Sequence, residues 1–253
     1  AVVELLVSRK ASLEASRKID GATPLYVACE NGFGGVVDVL LRAGAVVDKP
    51  RLLDGATPLS VACCNGHAEV VRTLLANSAN TEKTTRKDGC TPLHRACQCG
   101  SAQVVELLLE AKAAIDVTDT SDGATALWFA CKFGHSNVVQ VLLLNHAQVD
   151  KPKTDDGSTP LLVACREGHL KVVEILLASG ANVNSVRTTD GATPLVVACL
   201  KRHRDIWRAV AIKGGTIPEK HASEVERVMG SDDFAEVNRI VSFFSFSFIY
   251  FFL

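Results

Sequence analysis

Cysteine and histidine recur in this sequence at a spacing that raises metal and thiol chemistry first. Cys29, Cys63, Cys97, Cys131, Cys165 and Cys199 stand 34 residues apart, so six of the nine cysteines hold one repeated position. Cysteines in successive copies of one unit need not face each other in pairs, and small buried thiols in a reducing compartment are the expectation. Cys90, His94, Cys97 and Cys99 gather soft-metal ligand types in one stretch. His94 and Cys97 are already accounted for as repeat positions, however, and no C-x-x-C pair is present, so no metal site is assigned. His67, His135, His169 and His203 share a second repeated position. Such a row points to a structural bond with the backbone of an adjoining turn rather than to acid–base work. Gly32-Phe-Gly-Gly35 reads as an interhelix turn rather than a phosphate loop, and Lys201-Arg-His-Arg204 as a solvated loop rather than a nuclear address or phosphate patch. The signatures G-x-x-x-x-G-K-[ST], H-E-x-x-H and G-x-S-x-G are all missing. No catalytic residue and no cofactor is assigned, and enzymatic activity is not expected.

Composition agrees with that reading. The 253 residues carry 27 Lys+Arg against 28 Asp+Glu, a net charge of −1, with 47% hydrophobic and 22% charged residues. Such balance describes a globular chain and disfavours a polyelectrolyte partner such as nucleic acid.

The elements that hold these residues follow from the same 34-residue step. Asp20, Asp54, Asp88, Asp122, Asp156 and Asp190 each precede Gly and open the phrases DGATPL, DGATPL, DGCTPL, DGATAL, DGSTPL and DGATPL. In the copy from Asp54 to Lys87, Asp-Gly signals a turn, Thr57 an N-cap and Pro58 a first helical residue. A short helix through Leu59, Val61, Ala62 and Cys63 stops at Asn65-Gly66. A second covers about Ala68 to Ala76, with Val70, Val71, Leu74 and Leu75 on one apolar stripe. Two short helices cannot bury both faces alone, so each copy must stack on its neighbours.

The period alone suits a tetratricopeptide repeat, but its W-x2-L-G-x2-Y pattern does not occur. The phrases DG-x-TPL, A-C-x-x-G-H and VV-x-x-LL, as in Asp88 to Cys97 and Gly168 to Leu177, strongly resemble the ankyrin-repeat family over about residues 1 to 213. The resemblance implies an all-α repeat solenoid of helix-turn-helix units with β-hairpin or loop fingers. It divides the chain into a partial repeat at 1–19, five repeats at 20–53, 54–87, 88–121, 122–155 and 156–189, a degenerate terminal repeat at 190–215, and capping helices at 216–241. Three departures stand out. Cysteine replaces the second alanine of the family's Ala-Ala pair, each finger is one residue longer than usual, and the TPLH histidine survives only as His94, with Tyr26, Ser60, Trp128, Leu162 and Val196 in its place. The chain opens inside an earlier unit and reads as a fragment. The tail 242–253, with six of the ten phenylalanines and no charge, is too short to span a bilayer and is set aside as not native-like.

In proteins of this kind, partners bind finger tips and the concave face of the first helices. Mapped onto this sequence, the contact residues expected are Arg95, Gln98, Trp128, Phe129, Lys132, Phe133, Arg166 and Glu167 on the helices, and Arg51, Lys83, Arg86 and Lys153 on the fingers. Three aromatics and a cation within Trp128 to Phe133 form the densest anchor. A mainly basic finger row would suit a partner with an acidic segment. The function expected is a non-catalytic scaffold or adaptor, monomeric and cytoplasmic or nuclear, with no membrane association unless the tail is genuine. The alternative is the targeting arm of a larger enzyme, a kinase or a ubiquitin-ligase subunit, whose catalytic part lies elsewhere.

Overall fold

A computed structural model describes residues 2–250, with side chains to residue 243; most of the phenylalanine-rich tail therefore lies outside the described residues. The chain forms two compact units, Ala1–Ser121 and Asp122–Leu253. The first contains α1 (Val2–Ser8), α2 (Pro24–Glu30), α3 (Gly34–Arg42), α4 (Pro58–Cys64), α5 (Ala68–Ala76), α6 (Pro92–Cys99) and α7 (Ala102–Glu110). The second contains α8 (Ala126–Lys132), α9 (Ser136–Leu144), α10 (Pro160–Glu167), α11 (Leu170–Ala178), α12 (Pro194–Leu200), α13 (Arg204–Ile212), α14 (Glu219–Met229) and α15 (Ser231–Tyr250).

Each first helix starts where the threonine demands. The Oγ1 atoms of Thr23, Thr57, Thr125, Thr159 and Thr193 accept the backbone N–H three residues on, at 3.1–3.3 Å. In α6 the bond is 3.5 Å, and His94 Nδ1 accepts from the Thr91 N–H at 3.1 Å, closing a capping box. Within each unit, first helices pack on first helices and second on second, as α2 on α4 and α3 on α5, or α8 on α10 and α9 on α11. The repeated cysteines, Leu59, Leu93, Leu127, Leu161 and Leu195 are at most 1% exposed, the position that stacking requires. All nine cysteines are free thiols, and only Cys64 and Cys99 are exposed. Burial pushes the thiols of Cys29 and Cys199 up to about 12, which keeps them protonated and inert. The histidine row does bond to backbone: Nε2 of His67, His169 and His203 lies 3.1–3.2 Å from the carbonyl oxygens of Glu30, Lys132 and Arg166, respectively, one unit earlier.

The fingers take the loop form, and no strand occurs among the described residues. In the finger before Asp54, the Arg51 N–H donates to Ala56 O and the Gly55 N–H to Arg51 O, both at 2.9 Å. The Leu53 N–H then turns sideways to Asp20 O of the preceding finger at 3.1 Å. Arg86 N–H to Asp54 O, Thr120 N–H to Asp88 O, Thr154 N–H to Asp122 O and Thr188 N–H to Asp156 O repeat this link at 2.7–3.1 Å. A hairpin ladder would need those donors within one finger; here they tie finger to finger. Each finger turn is closed by a glycine at positive φ, +76° at both Gly21 and Gly55.

At the C-terminal end of the second unit, α14 and α15 pack on α12 and α13. Lys220 Nζ reaches Asp190 O at 2.6 Å, standing in for the N–H of a next finger. Val225 and Val237 are fully buried there. The run Lys201-Arg-His-Arg204, expected as a solvated loop, is partly spent on this cap. Arg202 donates to Val228 O, and Arg204 pairs with Asp233 at 3.2 Å and Glu236 at 3.0 Å. The cap contacts, three-dimensional by nature, have no trace in the local run of charges. Among the described residues no helix is long and apolar enough to cross a membrane.

Candidate functional site

The aromatic anchor sits on α8. Trp128 and Phe129 are 2% and 8% exposed, with ring centroids 5.6 Å apart in an edge-to-face contact. Lys132, one turn on, places Nζ 5.4 Å from the Trp128 ring and 5.6 Å from the Phe133 ring. Phe133 ends the helix and is 45% exposed, stacked on His135 at 6.2 Å. The surface therefore offers one open aromatic face beside a cation, and that cation spans the open Phe133 ring and the buried Trp128 ring. On α10, Arg166 and Glu167 pair with each other at 2.8 Å and lie at the surface.

The other expected contact residues divide by what already holds them. Lys153 is 8% exposed, bonded to Asp122 at 2.6 Å and Asp155 at 3.2 Å, with Nζ 4.6 Å from the Trp128 ring. Arg51 pairs with Asp54 at 2.6 Å and lies 4.8 Å over the Tyr26 ring. Arg95 grips Asp88 at 2.7 Å and the Gln98 side-chain oxygen at 2.9 Å. Lys83 and Arg86 are exposed, and the Arg86 guanidinium donates to Leu52 O at 3.1 Å.

A rule joins these pairs that reading the copies one at a time misses. Every turn aspartate stands at a backbone bend, and Asp20, Asp54 and Asp190 take a cation from the arginine three residues earlier, Arg17, Arg51 and Arg187. Where that place holds Thr85, Arg95 on the following helix serves Asp88 instead; where it holds Asp119, Lys153 from the next finger serves Asp122. For Asp88 the signal was present in the sequence as a base lost at Thr85 and one gained at Arg95; Lys153 holds the ordinary finger place, three residues before Asp156.

The arginine bonds lower the carboxyl pKa values of Asp20, Asp54, Asp88 and Asp190. Asp20 and Asp190 fall to about 2 chiefly through their arginine hydrogen bonds; at Asp88 burial pulls upward, but bonds from Thr85 and Arg95 prevail and bring it to about 2. A folded-state value below the unfolded value of about 3.9 contributes stability that is complete above pH 4 and fades as pH falls toward 2. Thermal melts by circular dichroism should show the midpoint dropping across that window, and Arg187→Gln should flatten the drop. A midpoint unchanged from pH 5 to 2 would contradict the assignment.

Sequence reasoning also missed the aliphatic finger tips: Ile19, Leu52 and Leu53 are 84%, 63% and 70% exposed. The signal available was apolar residues at turn positions beside Asp-Gly, where solvation favours polar ones.

The family model for Ankyrin repeats (3 copies) matches residues 1–86, 44–119, 80–155, 111–187 and 144–220. Among solved structures, the chain is similar to the crystal structure of the human ASB11 ankyrin repeat domain, with 29% identity and a TM-score of 0.71, over 78% of this chain and 86% of that one. No curated protein matches.

Proposed function

Since the chain belongs to the ankyrin-repeat family, whose repeats are generally protein–protein interaction modules, we propose that it is a non-catalytic scaffold or adaptor that holds a partner protein against the α8 and α10 surface. The observation that carries this reading is Phe133. A phenylalanine 45% exposed, stacked on His135 and beside Lys132, is an anchor whose ring is oriented before any partner arrives. Arg166 and Glu167 supply rim charges next to it. Trp128, Phe129 and Lys153 are too buried to touch the partner directly.

The test is affinity purification with quantitative mass spectrometry on wild type, Phe133→Ala and Lys132→Glu. Loss of the aromatic face should weaken the main partner by about 2 kcal/mol, roughly thirtyfold, with helical content and melting point unchanged. If both variants retain every partner, the anchor lies elsewhere.

A further inference from the structure

The finger tips of the first unit combine exposed aliphatic side chains with unpaired cations. Ile19, Leu52 and Leu53 are all more than half exposed, as mature turn residues seldom are when aliphatic. They lie on adjoining fingers: the Leu53 N–H bonds to Asp20 O at 3.1 Å, the Leu52 side chain covers Gly21, and Arg86 bonds back to Leu52 O at 3.1 Å. The backbone links make these three fingers one strip, so the aliphatic groups are presented together on tied turns.

Charge around the strip is one-sided. The turn aspartates, Asp20, Asp54 and Asp88, are engaged by Arg17, Arg51 and Arg95. Lys18, Arg86 and Lys87 on the same turns are exposed and make no ion pair among the described residues. The Arg86 guanidinium is oriented by its bond to Leu52 O, with further N–H donors left for a planar carboxylate. In the second unit the corresponding positions are Thr154-Asp155 and Thr188-Thr189. The same turn therefore folds with polar residues, and the aliphatic pair in the first unit is not a requirement of the finger.

We propose that this strip is a second docking surface, for a peptide segment that carries aliphatic anchors flanked by Asp or Glu. The inference rests on the reading of the chain as a protein-binding module and specifies the chemistry of one partner. The apolar side chains supply desolvated contact, while the cations steer and register an acidic chain and reject a basic one. An anionic lipid surface would also meet cations and aliphatics, but the fixed guanidinium and the narrow strip of three side chains favour discrete carboxylates.

Random 12-residue peptides displayed on phage and panned on the full chain test this. Peptides rich in Leu, Ile or Val beside Asp or Glu should be enriched, and their synthetic versions should bind at least about tenfold more weakly to the double variant Leu52→Thr with Leu53→Thr, which copies the second unit's own Thr188-Thr189. Binding should weaken further as salt rises. Enrichment of peptides without acidic residues, equal binding by the double variant, or no enrichment at all would overturn the proposal. So would capture of phosphatidylserine vesicles that the double variant abolishes while peptide binding is absent. Phe133→Ala should leave the peptide affinity intact; if it removes it, the segment docks on the α8 surface and only the strip assignment fails. Loss of partner binding in Phe133→Ala alone, with peptide binding kept, separates the two surfaces.

Discussion

Replacing Trp207 by alanine should destabilise the C-terminal end of the second unit by about 3–5 kcal/mol. Trp207 is 1% exposed on α13, in the layer that α15 covers, and is the largest of the fully buried side chains. Ile206, Val210 and Ala211 are all within 2% of complete burial beside it, so the cavity has little freedom to collapse. The Arg208 guanidinium, 5.5 Å from the indole centroid and bonded to Glu236 at 2.6 Å, would lose its ring partner at the same time. Because repeat units gain stability from their nearest neighbours, the lesion should open the terminal pair and its cap before anything further away. Hydrogen exchange read by mass spectrometry should show protection lost across 194–241. A cooperative melt with unchanged exchange in that segment would refute the account. Arg204→Gln, which removes only exposed ion pairs with Asp233 and Glu236, should leave the melting midpoint nearly unchanged and serves as the comparison.

The second large effect is expected at a finger glycine. Gly157 has φ +70°, and a Cβ added there would lie 2.6 Å from Thr188 Cγ2 and 3.1 Å from the Thr188 backbone nitrogen. Alanine therefore adds the left-handed strain of about 1–2 kcal/mol to a displacement of the neighbouring finger, whose Thr188 N–H bonds to Asp156 O at 2.8 Å. A total loss of about 2–4 kcal/mol follows for Gly157→Ala. Gly214 gives the control: its φ is +86°, yet nothing lies within 4 Å of the added carbon, so Gly214→Ala should show strain alone. Denaturant melts of the two variants measure the difference. Equal losses would mean that finger-to-finger contact contributes nothing, and the link through Asp156 O would be incidental.

Much of this architecture was legible because it rests on local chemistry repeated at a fixed step. Thr57-Pro58 marks a helix start by itself, since the hydroxyl caps the N-terminus and proline lacks an N–H that the first turn cannot use. Asn65-Gly66 marks its end for equally local reasons. The burial of the cysteine row followed from its place on the apolar stripe. Contact residues were less legible. Phe133 and Trp128 look alike in sequence, five positions apart in one motif, yet one is nearly half exposed and the other 2% exposed. Helical direction and Lys153 of the following finger, which lies over the Trp128 ring, decide between them, and neither is local. The finger cations were similarly opaque: Arg51 and Lys83 read as equivalent basic residues, but only Arg51 meets Asp54, Glu30 and Tyr26.

By itself, then, the sequence determined the unit, its two helices, their caps and the family, because those depend on backbone conformation and periodic burial within 34 residues. Tertiary structure alone decided which charges are spent and which are offered. Ion pairs such as Arg95 with Asp88 and Lys153 with Asp122 join residues 7 and 31 positions apart, and the pairing depends on where neighbouring turns fall in space. It also decided that the fingers bond to one another rather than form hairpins, since a backbone N–H has one bond to give and the adjacent carbonyl lies within its reach.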